Sequence, residues 1–210
     1  MNIILLFLAV AGGYLLGSIP TSVWAGKIFH GIDVREHGSG NAGATNVIRV
    51  LGWKTGIPVM IVDIGKGWLA ASLPLIFNLA EKNTDMMISM QITTGMAAMI
   101  GHVYPVFAGF RGGKGVGTTF GVLLSLNPLL TLSCLGVFLA VLFISGYVSI
   151  SSMSAGAAFP ILLFTVFKTP SPVFRIFSIV VALALIITHR TNIKRLLKGE
   201  ESKFIKRKKK

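Results

Sequence analysis

The sequence predicts an all-α integral membrane protein, because it is apolar, carries few charges and contains long apolar segments. The mean hydropathy of its 210 residues is +0.76, and only 13% of them are charged. Soluble domains carry about a quarter of their residues as charged side chains, so this chain cannot cover a soluble surface. Its apolar segments are about 16 to 24 residues long, enough for a helix to cross about 30 Å of hydrocarbon. The alternating ten-residue segments of a β-barrel are not found.

Seven segments are candidate membrane helices: residues 3–25, 55–79, 86–107, 116–126, 129–145, 152–167 and 173–187. Pro20 predicts a kink in the first. The fourth is short for a full crossing, so five or six crossings with a re-entrant segment remain an alternative. We expect residues 1–210 to form one multi-span domain that ends in a short basic tail from about residue 199.

The distribution of basic residues predicts the orientation in the membrane. With seven crossings, segment 26–54, connection 108–115 and tail 190–210 lie on one side and carry most of the twenty Lys and Arg residues. The opposite side carries only Lys82, Lys168 and Arg175. Because cytoplasmic loops are enriched in Lys and Arg, we expect the N-terminus outside and the C-terminus in the cytoplasm.

The net charge of +13 does not indicate nucleic-acid binding, because the basic residues flank predicted membrane spans. The last five residues, Lys206 to Lys210, follow the last span closely and are expected to contact anionic lipid headgroups. Membrane lipids are therefore the expected partners. No obligate protein partner is evident from the sequence.

Three clusters of polar residues fall on the predicted cytoplasmic side. The first contains Ser39, Asn41, Thr45, Asn46 and Arg49 within a glycine-rich stretch. Such a backbone can turn sharply and direct N–H groups at an anion. We expect Thr45 or Asn46 to cap a short helix whose first turn presents Arg49 to an anion. The alternative is a flexible loop of small residues.

The second cluster begins at His102 and contains Gly112-Gly113-Lys114-Gly115. These four residues are typical of a phosphate-binding backbone turn, with Lys114 as the point charge. They do not form a Walker A loop, because the spacing is one residue short and Gly115 stands where Ser or Thr would bind magnesium. The alternative is a glycine-rich turn between closely packed helices.

The third cluster follows the last apolar segment and contains His189, Asn192, Arg195 and Glu201. If the last helix continues beyond the membrane, the first three of these side chains share one side of it. Glu201 is either a binding residue or only a charge of the tail. These residues complete a predicted polar site on one side of the membrane.

Asp63 and Lys66 are charged residues within the second apolar segment, three positions apart. Intramembrane charges are candidates for functional sites. Their spacing equally predicts an ion pair that stabilises the helix bundle. The sequence leaves both interpretations open.

In this order, the three clusters resemble the bacterial acyl-phosphate:glycerol-3-phosphate acyltransferase family. The resemblance covers nearly the whole chain. Its motifs appear as Ser39-Gly40-Asn41…Gly43-Ala44-Thr45-Asn46…Arg49, as Gly101-His102…Pro105…Phe107…Phe110…Gly112-Gly113-Lys114-Gly115-Val116, and as His189…Asn192-Ile193…Arg195-Leu196…Gly199…Glu201. Gly117, where Ala is expected, is the one departure.

The resemblance implies the reaction, the substrates and the location. An acyl group would pass from acyl-phosphate to the 1-hydroxyl of glycerol 3-phosphate, giving lysophosphatidic acid and phosphate in the first acylation of phospholipid synthesis. The protein would be a seven-helix bundle in the bacterial inner membrane, with its active site facing the cytoplasm. No cofactor or metal ion is expected.

The resemblance also suggests roles for individual residues. His189, Asn192, Lys114 and Ser39 are the expected catalytic residues. The expected substrate-binding residues are Asn41, Thr45, Asn46, Arg49, His102, Gly112, Gly113, Gly115, Arg195 and Glu201. As a hypothesis, Arg49, Lys114 and Arg195 neutralise the two substrate phosphates. The hydroxyl and amide side chains would orient the glycerol hydroxyl and the acyl carbonyl.

The group that accepts the proton of the attacking hydroxyl remains open. His189 and His102 are candidates, and the leaving phosphate is a third. The His-x4-Asp motif of acyltransferases that use acyl-CoA is absent from the sequence, which disfavours acyl-CoA or acyl-carrier protein as the donor.

A transporter of a small phosphorylated solute is the alternative function. It would also combine apolar helices, broken glycine segments and basic residues. The chain shows no inverted repeat, and its polar clusters lie at one interface instead of the midplane. The sequence therefore favours the enzyme.

Overall fold

A computed structural model describes residues 3–205, which form ten α-helices and two short 3₁₀ helices and contain no strand. The α-helices are α1 (Ile3–Ser18), α2 (Thr21–His30), α3 (Ala44–Leu51), α4 (Trp53–Ile76), α5 (Asp85–Val103), α6 (Val116–Leu126), α7 (Pro128–Ser145), α8 (Val148–Thr165), α9 (Pro172–Thr188) and α10 (Arg190–Leu197). The 3₁₀ helices are Val34–Glu36 and Val106–Ala108. The predicted all-α class is confirmed. The predicted contacts of Lys206 to Lys210 lie outside the described residues.

The first and last apolar segments continue as bent pairs of helices. The α1 and α2 helices meet at 40°, and α9 and α10 meet at 55°. Among the described residues, α4, α7 and α8 are individually long and apolar enough to cross a membrane, and the two bent pairs raise this number to five. Helix α6 is apolar but has only 11 residues.

The chain divides into two compact units, Met1–Leu126 and Asn127–Lys210. In the first unit, α1 packs against α5 and α4, and α4 packs against α6 and α3. Two of these contacts require glycine, because a Cβ atom on Gly17 or Gly121 would overlap the backbone of the facing helix. In the second unit, α8 packs against α7 and α9. The rings of Phe159, Phe174 and Phe177 cluster between α8 and α9.

A buried ion pair holds α4 against the break between α1 and α2. Pro20 lacks the N–H group that a continuous helix would need there. The carbonyl of Ile19, which lies between the two helices, accepts a hydrogen bond from Lys66 Nζ at 2.9 Å. Lys66 Nζ also lies 2.9 Å from Asp63 Oδ1, which accepts a hydrogen bond from Thr21 Oγ1. The Asp63–Lys66 pair therefore links α4 to the kink that Pro20 predicts.

We expect Asp63 and Lys66 to stabilise the fold as a pair. Asp63→Asn or Lys66→Met alone leaves one buried charge without its partner, which costs about 3–5 kcal/mol of unfolding free energy. The double variant removes both charges and should cost clearly less than the sum of the single variants. Thermal unfolding of the purified protein in one detergent measures this. Ser89→Ala, at a half-buried site on α5 where the hydroxyl donates only to the Asp85 carbonyl of its own helix, is the control, and strictly additive losses would contradict the prediction.

Candidate active site

Two loops of the first unit carry the first two polar clusters. Loop 1, residues 31–43, joins α2 to α3, and loop 2, residues 104–115, joins α5 to α6. Each contains a short 3₁₀ helix and several residues with positive φ. The site depends on the side chains that hydrogen-bond to these irregular backbones.

Asn46 determines the conformation of loop 1. Its Nδ2 donates to the carbonyls of Val34 at 2.8 Å and His37 at 3.0 Å, and its Oδ1 accepts from the N–H of Ser39 at 2.8 Å. The side chain is only 2% exposed. Both N–H donors of the amide are therefore used within the loop, so they are not available to a substrate as the sequence suggested.

The short helix after loop 1 differs in detail from the prediction. Helix α3 begins at Ala44, and Gly43 occupies its N-cap position without a side-chain hydrogen bond. Neither Thr45 nor Asn46 caps it, because Asn46 is already turned back into loop 1. Arg49 lies in the last turn of α3 and is exposed. The predicted combination of Arg49 with the N-terminal end of this helix is therefore wrong.

An Asp33–Arg35 ion pair joins loop 1 to loop 2. Arg35 Nε and Nη2 donate to the two carboxylate oxygens of Asp33 at 2.9 and 2.7 Å. Arg35 Nη1 donates to the carbonyls of Ala108 at 2.8 Å and Arg111 at 3.3 Å. The hydrogen bonds from Arg35 hold the pKa of Asp33 well below its usual value. The carboxylate therefore stays ionised and paired at neutral pH.

His102 lies under the glycine turn of loop 2. Its carbonyl accepts from the N–H of Gly113 at 3.1 Å, and the Val103 carbonyl accepts from the N–H of Gly112 at 3.2 Å. A side chain at either glycine would overlap the His102 residue. The N–H groups of Gly112 and Gly113 are thus hydrogen-bonded within the protein. They are not available to bind an anion, as the sequence had led us to expect. The glycines instead permit a close approach of the loop 2 backbone to His102, directly before Lys114.

A cavity of about 10 Å³ lies beneath this turn, with room for about one water molecule. It is lined by Ile19, Pro20, Thr21, Ala42, Asp63, Lys66, His102, Pro105, Gly112 and Gly113. His102 Nδ1 is buried and without a hydrogen bond, at 3.7 Å from Asp63 Oδ1. The cavity is too small for an organic substrate. It connects the intramembrane ion pair of α4 to loop 2.

The other residues of the first two clusters lie around these loops. Ser39, Asn41, Thr45 and Lys114 are all partly exposed, while Gly115 is buried and has φ +80° at the start of α6. The structure brings loops 1 and 2 together, because the Ala42 carbonyl borders the site of Gly113. The surface of the first unit therefore combines hydroxyl, amide and cationic groups.

The third cluster lies in the second unit, where α9 gives way to α10. His189 occupies the bend and is 2% exposed, and its Nδ1 lies 2.8 Å from the Leu185 carbonyl. Asn192 Nδ2 donates to Glu201 Oε1 at 2.6 Å, and Ser149 Oγ donates to the same oxygen at 2.9 Å. Glu201 is therefore more than a charge of the tail. Its carboxylate orients Asn192 and ties the tail to the start of α8.

Sequence reasoning missed three of these scaffold residues. Arg35 entered only as one of the basic residues of segment 26–54, and Asp33 and Ser149 did not enter at all. Asp33, shortly before the first polar cluster, was a usable signal. The chain has only seven acidic residues, so one near a basic cluster is a candidate ion-pair partner. Nothing in the sequence marked Ser149. Within residues 3–205, His, Cys, Asp and Glu side chains form no group of three that could hold a metal ion.

Comparison with known proteins identifies the family. A family model described as glycerol-3-phosphate acyltransferase matches residues 7–199. Two curated glycerol-3-phosphate acyltransferases are similar over nearly their full length. The Chlorobaculum tepidum protein is 45% identical over 95% of this chain and 97% of its own. The Salinibacter ruber protein is 43% identical over 91% of this chain and 89% of its own.

Two solved structures are also similar, both described as PlsY (YgiH), an integral membrane glycerol 3-phosphate acyltransferase. The glycerol 3-phosphate form superimposes with a TM-score of 0.83 at 36% identity, over 95% of this chain and 96% of that one. The lysophosphatidic acid form has a TM-score of 0.78 at the same identity, over 94% of each chain. Sequence and fold agree, and the chain belongs to the glycerol-3-phosphate acyltransferase family of integral membrane enzymes.

Proposed function

We propose that this acyltransferase uses acyl-phosphate as its donor and releases lysophosphatidic acid and inorganic phosphate. The 1-hydroxyl oxygen of glycerol 3-phosphate attacks the acyl carbonyl carbon, the bond from that carbon to the phosphate oxygen breaks, and the hydroxyl proton passes to a base or to the leaving phosphate. The full-length similarity to a protein solved in glycerol 3-phosphate and lysophosphatidic acid forms supports the acceptor and the product. The absence of a His-x4-Asp motif supports the donor.

We propose that the chain crosses the bacterial inner membrane seven times, with the N-terminus outside and the active site in the cytoplasm. The charge distribution supports this orientation, because the basic segments would all lie on the cytoplasmic side. The seven crossings would include α5 and the short α6. A water-soluble anionic acceptor and a donor with an acyl chain can meet at this interface.

Lys114 is the proposed binder of a substrate phosphate in the first unit. It follows a turn that is held by His102 on one side and by Arg35 on the other. A cation held in position stabilises the charge that moves onto the leaving phosphate without further rearrangement. Arg49 and Arg195 are the proposed additional cations. Ser39, Asn41 and Thr45 are proposed to orient the glycerol hydroxyl and the acyl carbonyl.

His189 is the proposed protein base. A carbonyl can only accept a hydrogen bond, so the contact with Leu185 places the proton of a neutral ring on Nδ1. The lone pair of that tautomer is on Nε2, which is the nitrogen able to take a proton. Asn192, one helical turn further on, is the proposed partner that orients the reacting groups through the geometry that Glu201 imposes.

The donor assay tests the proposed reaction. Purified protein in lipid vesicles receives labelled glycerol 3-phosphate with palmitoyl-phosphate, palmitoyl-CoA or palmitoyl-acyl-carrier protein in parallel. We expect labelled lysophosphatidic acid with palmitoyl-phosphate only, together with one equivalent of phosphate. Product from the CoA sample would refute the donor. Uptake of glycerol 3-phosphate into vesicles without any acyl donor would instead support a transporter.

Lys114→Ala should lower kcat/KM for glycerol 3-phosphate or acyl-phosphate by about 100- to 1,000-fold, because a charged donor to phosphate is lost. Lys114→Arg should recover part of this loss, since the charge is kept. The matched control is Lys168→Ala, which removes a cation from the connection between α8 and α9. Equal kinetics for Lys114→Ala and the control would contradict the role of Lys114.

His189→Ala distinguishes a protein base from the leaving phosphate. If His189 takes the proton, kcat at saturating substrates should fall by about 100-fold or more. His30→Ala, which changes an exposed histidine at the end of α2, is the control. A kcat within a few-fold of the unchanged protein would remove His189 as the base and leave the phosphate as proton acceptor.

A further inference from the structure

We propose that Arg35 is a positioning residue that fixes the conformation of loop 2, and with it the position of Lys114, from loop 1. It does this by binding the two carbonyls that flank the tightest part of loop 2. That the position of Lys114 matters for catalysis rests on its proposed function. The hydrogen bonds that Arg35 makes to loop 2 do not depend on that proposal.

The turn that Arg35 binds has an uncommon backbone conformation. Gly109 and Phe110 have φ values of +62° and +58° in succession. Glycine adopts this region readily, but a bulky aromatic residue rarely does, and it does so only where the surrounding structure requires it. The internal hydrogen bonds of the turn run from the N–H groups of Ala108 and Phe110 to the Pro105 carbonyl. A third bond, from the N–H of Arg111 to the Ala108 carbonyl, is long at 3.4 Å, and none of the three engages the Arg111 carbonyl.

Arg35 donates to both carbonyls, and its 2.8 Å bond to Ala108 is shorter than the one from the Arg111 N–H. One nitrogen, Nη1, binds both, on either side of Gly109 and Phe110. The two residues are 73 and 76 positions from Arg35 along the chain. A planar guanidinium can make these bonds and keep its other edge on a carboxylate, whereas a Lys ammonium has no such second edge.

Asp33 holds the guanidinium in this position. It accepts from Nε and Nη2 of Arg35 and also from the Arg35 backbone N–H at 3.0 Å. The Arg35 and Asp33 side chains are only 15% and 13% exposed. Lys27 lies 3.6 Å from the same carboxylate but is 57% exposed, so it contributes little. Asp33 also neutralises Arg35, so this guanidinium does not supply positive charge to a substrate phosphate.

Loop 2 is therefore held at two points on either side of the glycine turn. Arg35 holds the carbonyl of Arg111, and the carbonyls of Val103 and His102 hold the N–H groups of Gly112 and Gly113. Lys114 is the next residue. Loss of the Arg35 contacts would release one of the two points while leaving the charge of Lys114 unchanged.

The test compares Arg35→Gln, Arg35→Lys and Asp33→Asn with Lys27→Gln as the matched control. Trypsin cleaves after Arg111 and Lys114, so the rate of nicking in loop 2, followed by mass spectrometry in detergent, reports loop mobility without any substrate. We expect nicking about ten times faster in Arg35→Gln, from the loss of two hydrogen bonds to a charged group. Arg35→Lys should be intermediate, and Lys27→Gln unchanged.

Kinetics provide the second readout. Arg35→Gln and Asp33→Asn should raise the KM of the substrate that depends on Lys114 by about tenfold, with a smaller change in kcat, because a mobile loop binds less well. Thermal unfolding, measured in parallel, identifies a variant that has lost its global fold. If Arg35→Gln has lost its fold, Arg35→Lys replaces it, and its nicking rate and KM should both exceed those of the unchanged protein.

Three outcomes would overturn the proposal. They are nicking in Arg35→Gln at the rate of the control, full recovery by Arg35→Lys in both readouts, and loss of activity with unchanged nicking, which would mean that Arg35 contacts substrate. If the unchanged protein shows no acyl transfer, the proposed function fails, while the nicking experiment still decides whether Arg35 positions loop 2.

Discussion

A backbone carbonyl outside a helix needs a hydrogen-bond donor from the protein when the surroundings are apolar, since an unsatisfied polar group there is costly. This requirement governs the first unit. Beside backbone hydrogen bonds, Lys66 donates to the Ile19 carbonyl at the break between α1 and α2, Asn46 donates to the Val34 carbonyl in loop 1, and Arg35 donates to the Ala108 carbonyl in loop 2. The irregular segments that the chemistry needs are thereby given one conformation by three polar side chains.

The same requirement separates two kinds of basic residue. Arg35 and Lys66 are each paired with a carboxylate within 3 Å, and both donate to backbone carbonyls. Their charge is neutralised locally, and they belong to the scaffold. Lys114 follows the turn that this scaffold holds, and Arg49 is exposed on α3. Counting basic residues near the motifs therefore overestimates the number available to bind phosphate.

In the second unit, a carboxylate has the scaffold role: Glu201 positions Asn192 by accepting a hydrogen bond from its amide.

The sequence predicted the helices well, because apolar length and composition are local properties. The predicted segment 116–126 coincides with α6, and the kink at Pro20 became a complete break. It predicted α3 as a short helix but with the wrong N-cap, and it did not predict α2 or α10 as separate helices, since each is set off by a bend from the helix before it. The roles within loops were harder still. Whether Asn46 faces a substrate or the Val34 carbonyl depends on turn geometry, and residue type alone does not reveal that geometry.

An experimental structure in lipid, determined with and without glycerol 3-phosphate, tests the scaffold most directly. We expect the contacts of Asn46 with Val34 and His37, and those of Arg35 with Ala108 and Arg111, to be the same in both states. In the bound state, the substrate phosphate should lie within hydrogen-bond distance of a cation such as Lys114. A bound state in which the Asn46 amide or the Arg35 guanidinium leaves its carbonyls and binds the phosphate would contradict the account.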